Sequence, residues 1–166
     1  MYLILSLVLS TAIALIGHEL GHLVAARCCG VKASEFGFGA GRRLFRIQFA
    51  TIAFSWRLYP IGSFVMLDGS ALRQRSISAQ LFVHLSGVIL NLIVGLVSFG
   101  TVFGWINLLL VAGNVLPLYQ HDGWKCGMVV MQALMKRKSQ SAERAFTFSG
   151  GFVSVLVAWA VIRLFI

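Results

Sequence analysis

Charged side chains, and acidic ones above all, are scarce in this sequence. Of its 166 residues only 11% are charged and only five are acidic, whereas 58% are hydrophobic. The mean hydropathy is correspondingly high, at +0.87. A soluble domain of this size would leave too much apolar surface in contact with water. The composition therefore disfavours a soluble protein and predicts a small polytopic membrane protein.

Paired cysteines are also lacking. Cys28, Cys29 and Cys126 are an odd number and include no C-x-x-C pair, which argues against a disulfide framework and a cysteine zinc site, and we interpret them as free thiols. The first apolar run lacks the basic flank of a cleaved signal peptide, so we expect it to remain as a transmembrane helix. Without an internal repeat or a low-complexity linker, residues 1–166 are expected to form a single intramembrane domain.

Basic residues are the larger charged group, and they give a formal net charge of +9. They fall in blocks between apolar segments, which indicates membrane topology and disfavours a nucleic-acid partner. Thirteen of the 14 lysines and arginines lie between Arg27 and Arg144. The positive-inside rule assigns that region's charged loops to the cytoplasm and both termini to the outside. We expect a multi-pass integral protein of a bacterial inner membrane.

The apolar pattern predicts a mainly α membrane protein with about four transmembrane helices, at roughly 2–27, 78–99, 105–118 and 146–166. The third is too short for a comfortable crossing and contains Asn114 and Pro117, so the chain is expected to unwind there inside the protein. Residues 34–66 mix glycine and arginine with alternating β-formers, which predicts a membrane-associated β-hairpin.

The motif His18-Glu19-Leu20-Gly21-His22 lies in the last third of the first span. Histidines four residues apart share one face of a helix and can bind a single zinc ion, and the glutamate between them is placed to handle protons. Burial of such groups in an apolar helix costs about 2.5 to 3.5 kcal/mol per charge, which favours a functional reason. A structural metal site or a polar helix-packing cluster is the alternative.

A catalytic zinc needs a third protein ligand and one position for water. Asp122 is the acidic residue best placed for this role, because it follows the predicted break around Asn114 and Pro117 on the same membrane side as His22. The neighbouring His121 is an alternative ligand.

Together these elements resemble the site-2 protease family of intramembrane zinc metalloproteases. Beside H-E-x-x-H, the family's N-x-x-P-x(4)-D-G element corresponds to residues 114–123, and its G-x-x-x-N pattern to residues 87–91. Residues 59–66 are similar to the P-L-G-G-Y-V stretch that ends the family's hairpin. The sequence departs from the family at Val88, at residues 119–121 and at Trp124, but no ligand is lost.

The resemblance implies one Zn²⁺ per chain, held by His18, His22 and Asp122, with Glu19 activating the water. It also implies that Asn91 donates a hydrogen bond to the oxyanion, although this residue can equally join helices. The expected function is zinc-dependent intramembrane endopeptidase activity in regulated intramembrane proteolysis. The active site would lie toward the cytoplasm and cleave within or near the transmembrane segment of a membrane-bound substrate.

The expected partners are a transmembrane protein or peptide substrate and the lipid bilayer, without nucleic acid. Because the sequence contains neither the PDZ domains nor the nucleotide-sensing domain of some relatives, a separate regulatory membrane partner is also expected. The hairpin edge, Phe45 to Leu58, is hypothesised to clamp an extended substrate by strand addition. Two rivals remain: a catalytically silent binding or assembly partner on the same scaffold, and a metal transporter, which the clustering of polar residues on one side disfavours.

Overall fold

The computed structural model describes residues 2–135 and 140–165. Lys136 to Lys138, which belong to the predicted cytoplasmic charge, and Ile166, at the end of the last predicted span, lie outside these ranges. The elements follow in the order α1 Tyr2–Cys28, β1 Ala33–Phe49, β2 Ile52–Leu67, α2 Gly69–Arg73, α3 Ile77–Val97, α4 Val102–Val115, α5 Asp122–Leu134 and α6 Gln140–Phe165.

Three helices, α1, α3 and residues 140–163 of α6, are long and apolar enough to cross a membrane. Helix α4 has 14 residues. At a rise of 1.5 Å per residue it is about 21 Å long, short of a hydrocarbon core of about 30 Å. The predicted class, a mainly helical membrane protein with a small hairpin and a short third segment, is confirmed.

Helix boundaries differ from the prediction for identifiable reasons. Helix α4 covers 102–115 instead of 105–118 and ends two residues before Pro117, because a residue that precedes proline disfavours the helical conformation. Helix α6 begins at Gln140, six residues before the predicted start at 146. The first turn of α6 contains Glu143, whose negative charge interacts favourably with the positive end of the helix dipole. Glu143 Oε1 also accepts a 2.6 Å hydrogen bond from Gln132 Nε2.

The predicted hairpin over 34–66 is present as strands β1 and β2, joined at residues 50 and 51. Residues 43–49 of β1, next to the turn, pair antiparallel with β2, with Phe45 opposite Trp56 and Phe49 opposite Ile52. Residues 35–38 of β1 are paired on both sides by different parts of β2. Gly37, for example, aligns with Ser55 and also with Phe64. Residues 43–49 pair only once among the described residues, and they therefore form an edge of the sheet.

The chain forms two compact units, Met1–Val111 and Ala112–Ile166. The core of the first contains the end of α1 and the start of α3, with Ala25, Ala26, Val31, Leu72 and Val83 buried together. In the second, the Trp124 ring lies 5.2 Å from Tyr119 and 6.1 Å from Phe146, between ring centroids. The single domain expected over 1–166 stays a prediction.

Candidate metal centre

Two glycines bring the backbones of α1 and α3 together beside the histidines. A methyl group on Gly21 would lie 2.8 Å from the carbonyl oxygen of Ser86 and 3.0 Å from the Cα of Gly87. A methyl group on Gly87 would lie 2.6 Å from His22 Nε2 and 2.7 Å from the carbonyl oxygen of His18. Small residues allow membrane helices to approach this closely. The G-x-x-x-N glycine therefore faces the H-E-x-x-H pair directly.

The two histidines converge through their Nε2 atoms, which are 3.1 Å apart. Both residues are buried, with 6% of His18 and 5% of His22 exposed. Zinc binds imidazole nitrogen at about 2.0 to 2.1 Å, so two tetrahedral ligands lie about 3.3 Å apart. The pair fits that spacing without rearrangement, as the helical periodicity predicts.

A backbone carbonyl fixes the tautomer of His22. Its Nδ1 lies 2.7 Å from the carbonyl oxygen of Val83 and 3.3 Å from Ser86 Oγ. A carbonyl only accepts hydrogen bonds, so Nδ1 carries the proton and donates it, and the lone pair is on Nε2. Ser86 donates to the same carbonyl at 2.8 Å. This is the outer hydrogen bonding that orients a metal-binding histidine.

Glu19 and Asn91 belong to the same unit as the histidine pair. Glu19 is half-buried on α1 and lies between the two histidines in the sequence. Asn91 follows Gly87 by one turn on α3 and is only 1% exposed. Its Nδ2 has no hydrogen-bond partner among the described residues. A buried amide donor that lacks a partner is energetically costly.

Asp122 lies in the second unit as the first residue of α5. It is 2% exposed, and its Oδ1 forms a 2.9 Å ion pair with Lys125 Nζ. A methyl group on Gly123 would overlap the carbonyl oxygen of Val115, so the glycine of the D-G pair lets α5 start against the end of α4. His121, the alternative ligand, is the N-cap of α5, and its Nδ1 lies 3.3 Å from the carbonyl oxygen of Tyr119.

The departure at Trp124 is explained by packing within this unit. A methyl group on Gly150 would lie 2.6 Å from Trp124 Cδ1, so the indole occupies the space that this glycine of α6 leaves free. Sequence reasoning missed Val83, Ser86 and Lys125. The only signal for them was spacing, since Ser86 directly precedes Gly87 and Lys125 lies one turn after Asp122.

Comparison with known proteins identifies the family. The model of Peptidase family M50 matches residues 4–104, more than half of the chain. The chain therefore belongs to peptidase family M50. The resemblance to site-2 proteases is confirmed. The matched part of this M50 chain includes the H-E-x-x-H motif and Asn91, and it ends before Asp122.

Three proteins with similar sequences are named as proteases. A candidate zinc metalloprotease of Nostoc sp. is 30% identical over 162 residues, which cover 84% of this M50 chain and 44% of that protein. Zinc metalloprotease RasP of Bacillus licheniformis is 40% identical over 52 residues, 31% of this chain and 12% of the relative. Regulator of sigma E protease of Haemophilus influenzae is 29% identical over 111 residues, which cover 59% of this chain and 25% of that protein. The chain thus matches less than half the length of each of these relatives.

Proposed function

We propose that this M50 chain is a zinc-dependent intramembrane endopeptidase, which cleaves a peptide bond within or near the transmembrane segment of a membrane-bound substrate. The observation that carries the proposal is the buried pair of imidazole Nε2 atoms, 3.1 Å apart on an apolar helix. The Val83 carbonyl sets His22 in the tautomer that a metal requires. Glu19 lies between the two ligands in the sequence.

His18, His22 and Asp122 would hold the zinc. The support for Asp122 is its place in the N-x-x-P-x(4)-D-G element and its burial, with only 2% of the residue exposed. A carboxylate completes the kind of ligand set found in catalytic zinc sites, which keep one position for water. When bound, zinc lowers the pKa of that water to about 7 and polarises the scissile carbonyl.

Glu19 is proposed as the general base and acid. Its carboxylate would take the proton of the attacking water and then pass it to the nitrogen of the leaving amine. Asn91 is proposed to donate from Nδ2 to the oxyanion that develops on the substrate carbonyl. The absence of a partner for this buried donor among the described residues supports that role.

The edge of the hairpin is proposed to hold the substrate. A transmembrane peptide must unwind before its carbonyl can be attacked, and an exposed strand edge can pair with the freed backbone. Residues 40–49 are exposed along their whole length. Proline placed in turn at each position from 44 to 48 should lower cleavage where an outward N–H is lost. Unchanged cleavage throughout the series would rule out the clamp, which was hypothesised over Phe45 to Leu58.

The setting of this activity is also part of the proposal. The active site is placed toward the cytoplasm and both termini outside, from the distribution of lysine and arginine. A separate regulatory membrane partner is proposed to control access. The rival is a catalytically silent partner protein on the same scaffold, which would keep the metal ligands without turnover.

Comparative proteomics of membrane fragments tests the proposal. Cells that produce the wild type should accumulate cleaved transmembrane segments that are missing from cells with Glu19→Gln. Both proteins must be present at the same level, which immunoblotting checks. The same fragments in both samples would favour the silent partner.

A further inference from the structure

The exposed edge strand is basic, and its charge is only partly compensated. Arg42 and Arg46 are exposed and form no ion pair with the described residues. Arg43 is 45% exposed in its side chain, and its Nη2 lies 3.1 Å from Glu35 Oε2. Arg57 shares the same carboxylate, with its Nη2 3.9 Å from Oε1. One carboxylate therefore faces two arginines, and two further arginines are uncompensated. We call Arg42, Arg43 and Arg46 the basic edge.

The strand alternation separates Arg46 from the aromatic side chains. Phe45 lies opposite Trp56 and Ile47 lies opposite Phe54, so these four share one face of the sheet. The Phe45 ring lies 6.4 Å from Trp56 and 6.3 Å from Phe54, between centroids. Arg46 lies opposite Ser55 and therefore belongs to the other face.

We infer that the segment that pairs with this edge carries acidic side chains at alternate positions, with apolar side chains between them. The inference rests on the proposed function, since it describes the substrate of that same site. In an added strand, alternate side chains would lie beside Arg46 on one face and beside Phe45 and Ile47 on the other. Opposite charges on neighbouring strands attract, and like charges there are disfavoured.

A peptide suits the basic edge better than a lipid headgroup does. Residues 43–49 offer a row of backbone N–H and C=O groups on the open side of the strand, next to the arginines. An extended peptide can form a ladder of hydrogen bonds with this row, and a phosphate group cannot. The aromatic rings that suit a membrane interface lie on the opposite face from Arg46. Charges that only protect an exposed edge from aggregation would show no preference among peptides.

Synthetic peptides test the inference. Each contains one apolar transmembrane segment and an adjoining segment with glutamate, glutamine or lysine at alternate positions. Binding is measured with the full chain carrying Glu19→Gln in nanodiscs, and cleavage with the wild type. The glutamate peptide should bind about two- to fivefold more tightly per acidic side chain than the glutamine peptide, and the lysine peptide more weakly.

Charge reversal provides the decisive comparison. Arg46→Glu should weaken binding of the glutamate peptide and strengthen binding of the lysine peptide, each relative to the glutamine peptide, whereas the matched control Arg73→Glu, on the exposed end of α2, should leave the preference intact. Equal binding of the three peptides, or equal effects of the two variants, would overturn the inference. It would also be overturned if the Arg46→Glu effect depended on phosphatidylglycerol in the nanodisc and not on peptide charge.

The two proposals fail in different ways. If the wild type cleaves all three peptides at equal rates, proteolysis stands and the acidic preference is wrong. If the peptides bind with the predicted preference but none is cleaved, the preference stands and the proposed proteolysis is wrong.

Discussion

Gly87 determines how close α3 comes to the two histidines. A side chain there would meet His22 Nε2, the atom proposed to bind the metal, at 2.6 Å. The two helix backbones are also close at Gly21, where a methyl group would lie 2.8 Å from the carbonyl oxygen of Ser86. Because the side chain of Gly87 is a single hydrogen atom, the space beside His22 Nε2 stays open for the proposed metal.

Gly87→Ala should therefore lower zinc affinity and proteolysis by about 10- to 100-fold, the range seen when the support of a metal ligand is disturbed. Zinc titration of the purified protein measures this. Gly151→Ala is the matched control, because nothing lies within 4 Å of a methyl group there. Zinc affinities that are equal for the two variants would contradict the assigned role of Gly87.

Cys126 is predicted to be an unreactive thiol. Burial, followed by the nearby Asp122 carboxylate, raises the pKa of Cys126 to about 11. The thiol is then protonated at neutral pH, and the reactive thiolate forms only as the pH rises toward 11. At pH 8 a Cys28→Ser/Cys29→Ser protein should react with maleimide about two orders of magnitude more slowly than a thiol with the ordinary pKa of about 8.5. Rapid labelling at pH 8 would be inconsistent with this environment.

At the scale of elements, the hairpin is tied to the helix that carries the motif. Ser63 Oγ on β2 donates a 2.9 Å hydrogen bond to the carbonyl oxygen of Leu15, one turn before Glu19 on α1. Ser63 stands where the family's P-L-G-G-Y-V stretch has its second glycine. A side chain that replaces this glycine therefore joins the proposed substrate-holding sheet to the helix with the proposed base.

Ser63→Ala should loosen this contact and raise KM by about two- to tenfold, the equivalent of one hydrogen bond worth about 0.5 to 1.5 kcal/mol, with a smaller change in kcat. Cleavage kinetics with a model transmembrane substrate measure both constants. The control is Ser34→Ala, since Ser34 Oγ bonds to the carbonyl of Met66 within the hairpin itself. If the two variants raise KM equally, the link to α1 has no special role.

Local patterns were sufficient to predict most of the elements. Apolar runs predicted α1 and α3 nearly to their ends, and alternation predicted the hairpin. Asn114 and Pro117 predicted a break in the third span, and α4 ends at Val115, although the span was expected to extend to 118. The contacts around the histidine pair and within the sheet join residues that are far apart in the sequence, so no local sequence pattern predicts them. His22 reaches a carbonyl 61 residues away at Val83, and the ion cluster around Glu35 depends on a doubled strand pairing that alternation does not specify.

At the scale of the whole molecule, membrane orientation follows from charge. The basic residues from Lys32 to Arg75 lie in the segment that joins α1 to α3, and the described turn between α3 and α4 has none. The positive-inside rule therefore assigns the first of these connections to the cytoplasm. This proposal agrees with three membrane-length helices and the shorter α4 between the second and the third.

Alkaline phosphatase fusions should test this orientation, because the enzyme is active only outside the cytoplasm. A fusion at Gly100 is expected to be active, and a fusion at Lys32 inactive. Fusion protein levels, measured by immunoblot, serve as the control. The opposite pattern of activities would reverse the proposed topology and place the histidine pair toward the outside.

The central claim is that Glu19 moves protons for a zinc held by His18, His22 and Asp122. The most direct measurement is cleavage of a model transmembrane substrate by purified wild type and Glu19→Gln, with zinc quantified in both. The account predicts one zinc per chain in each protein, and a loss of about 10²- to 10⁴-fold in the cleavage rate of the variant. Cleavage by Glu19→Gln at the wild-type rate, or wild-type protein that cleaves without zinc, would contradict it.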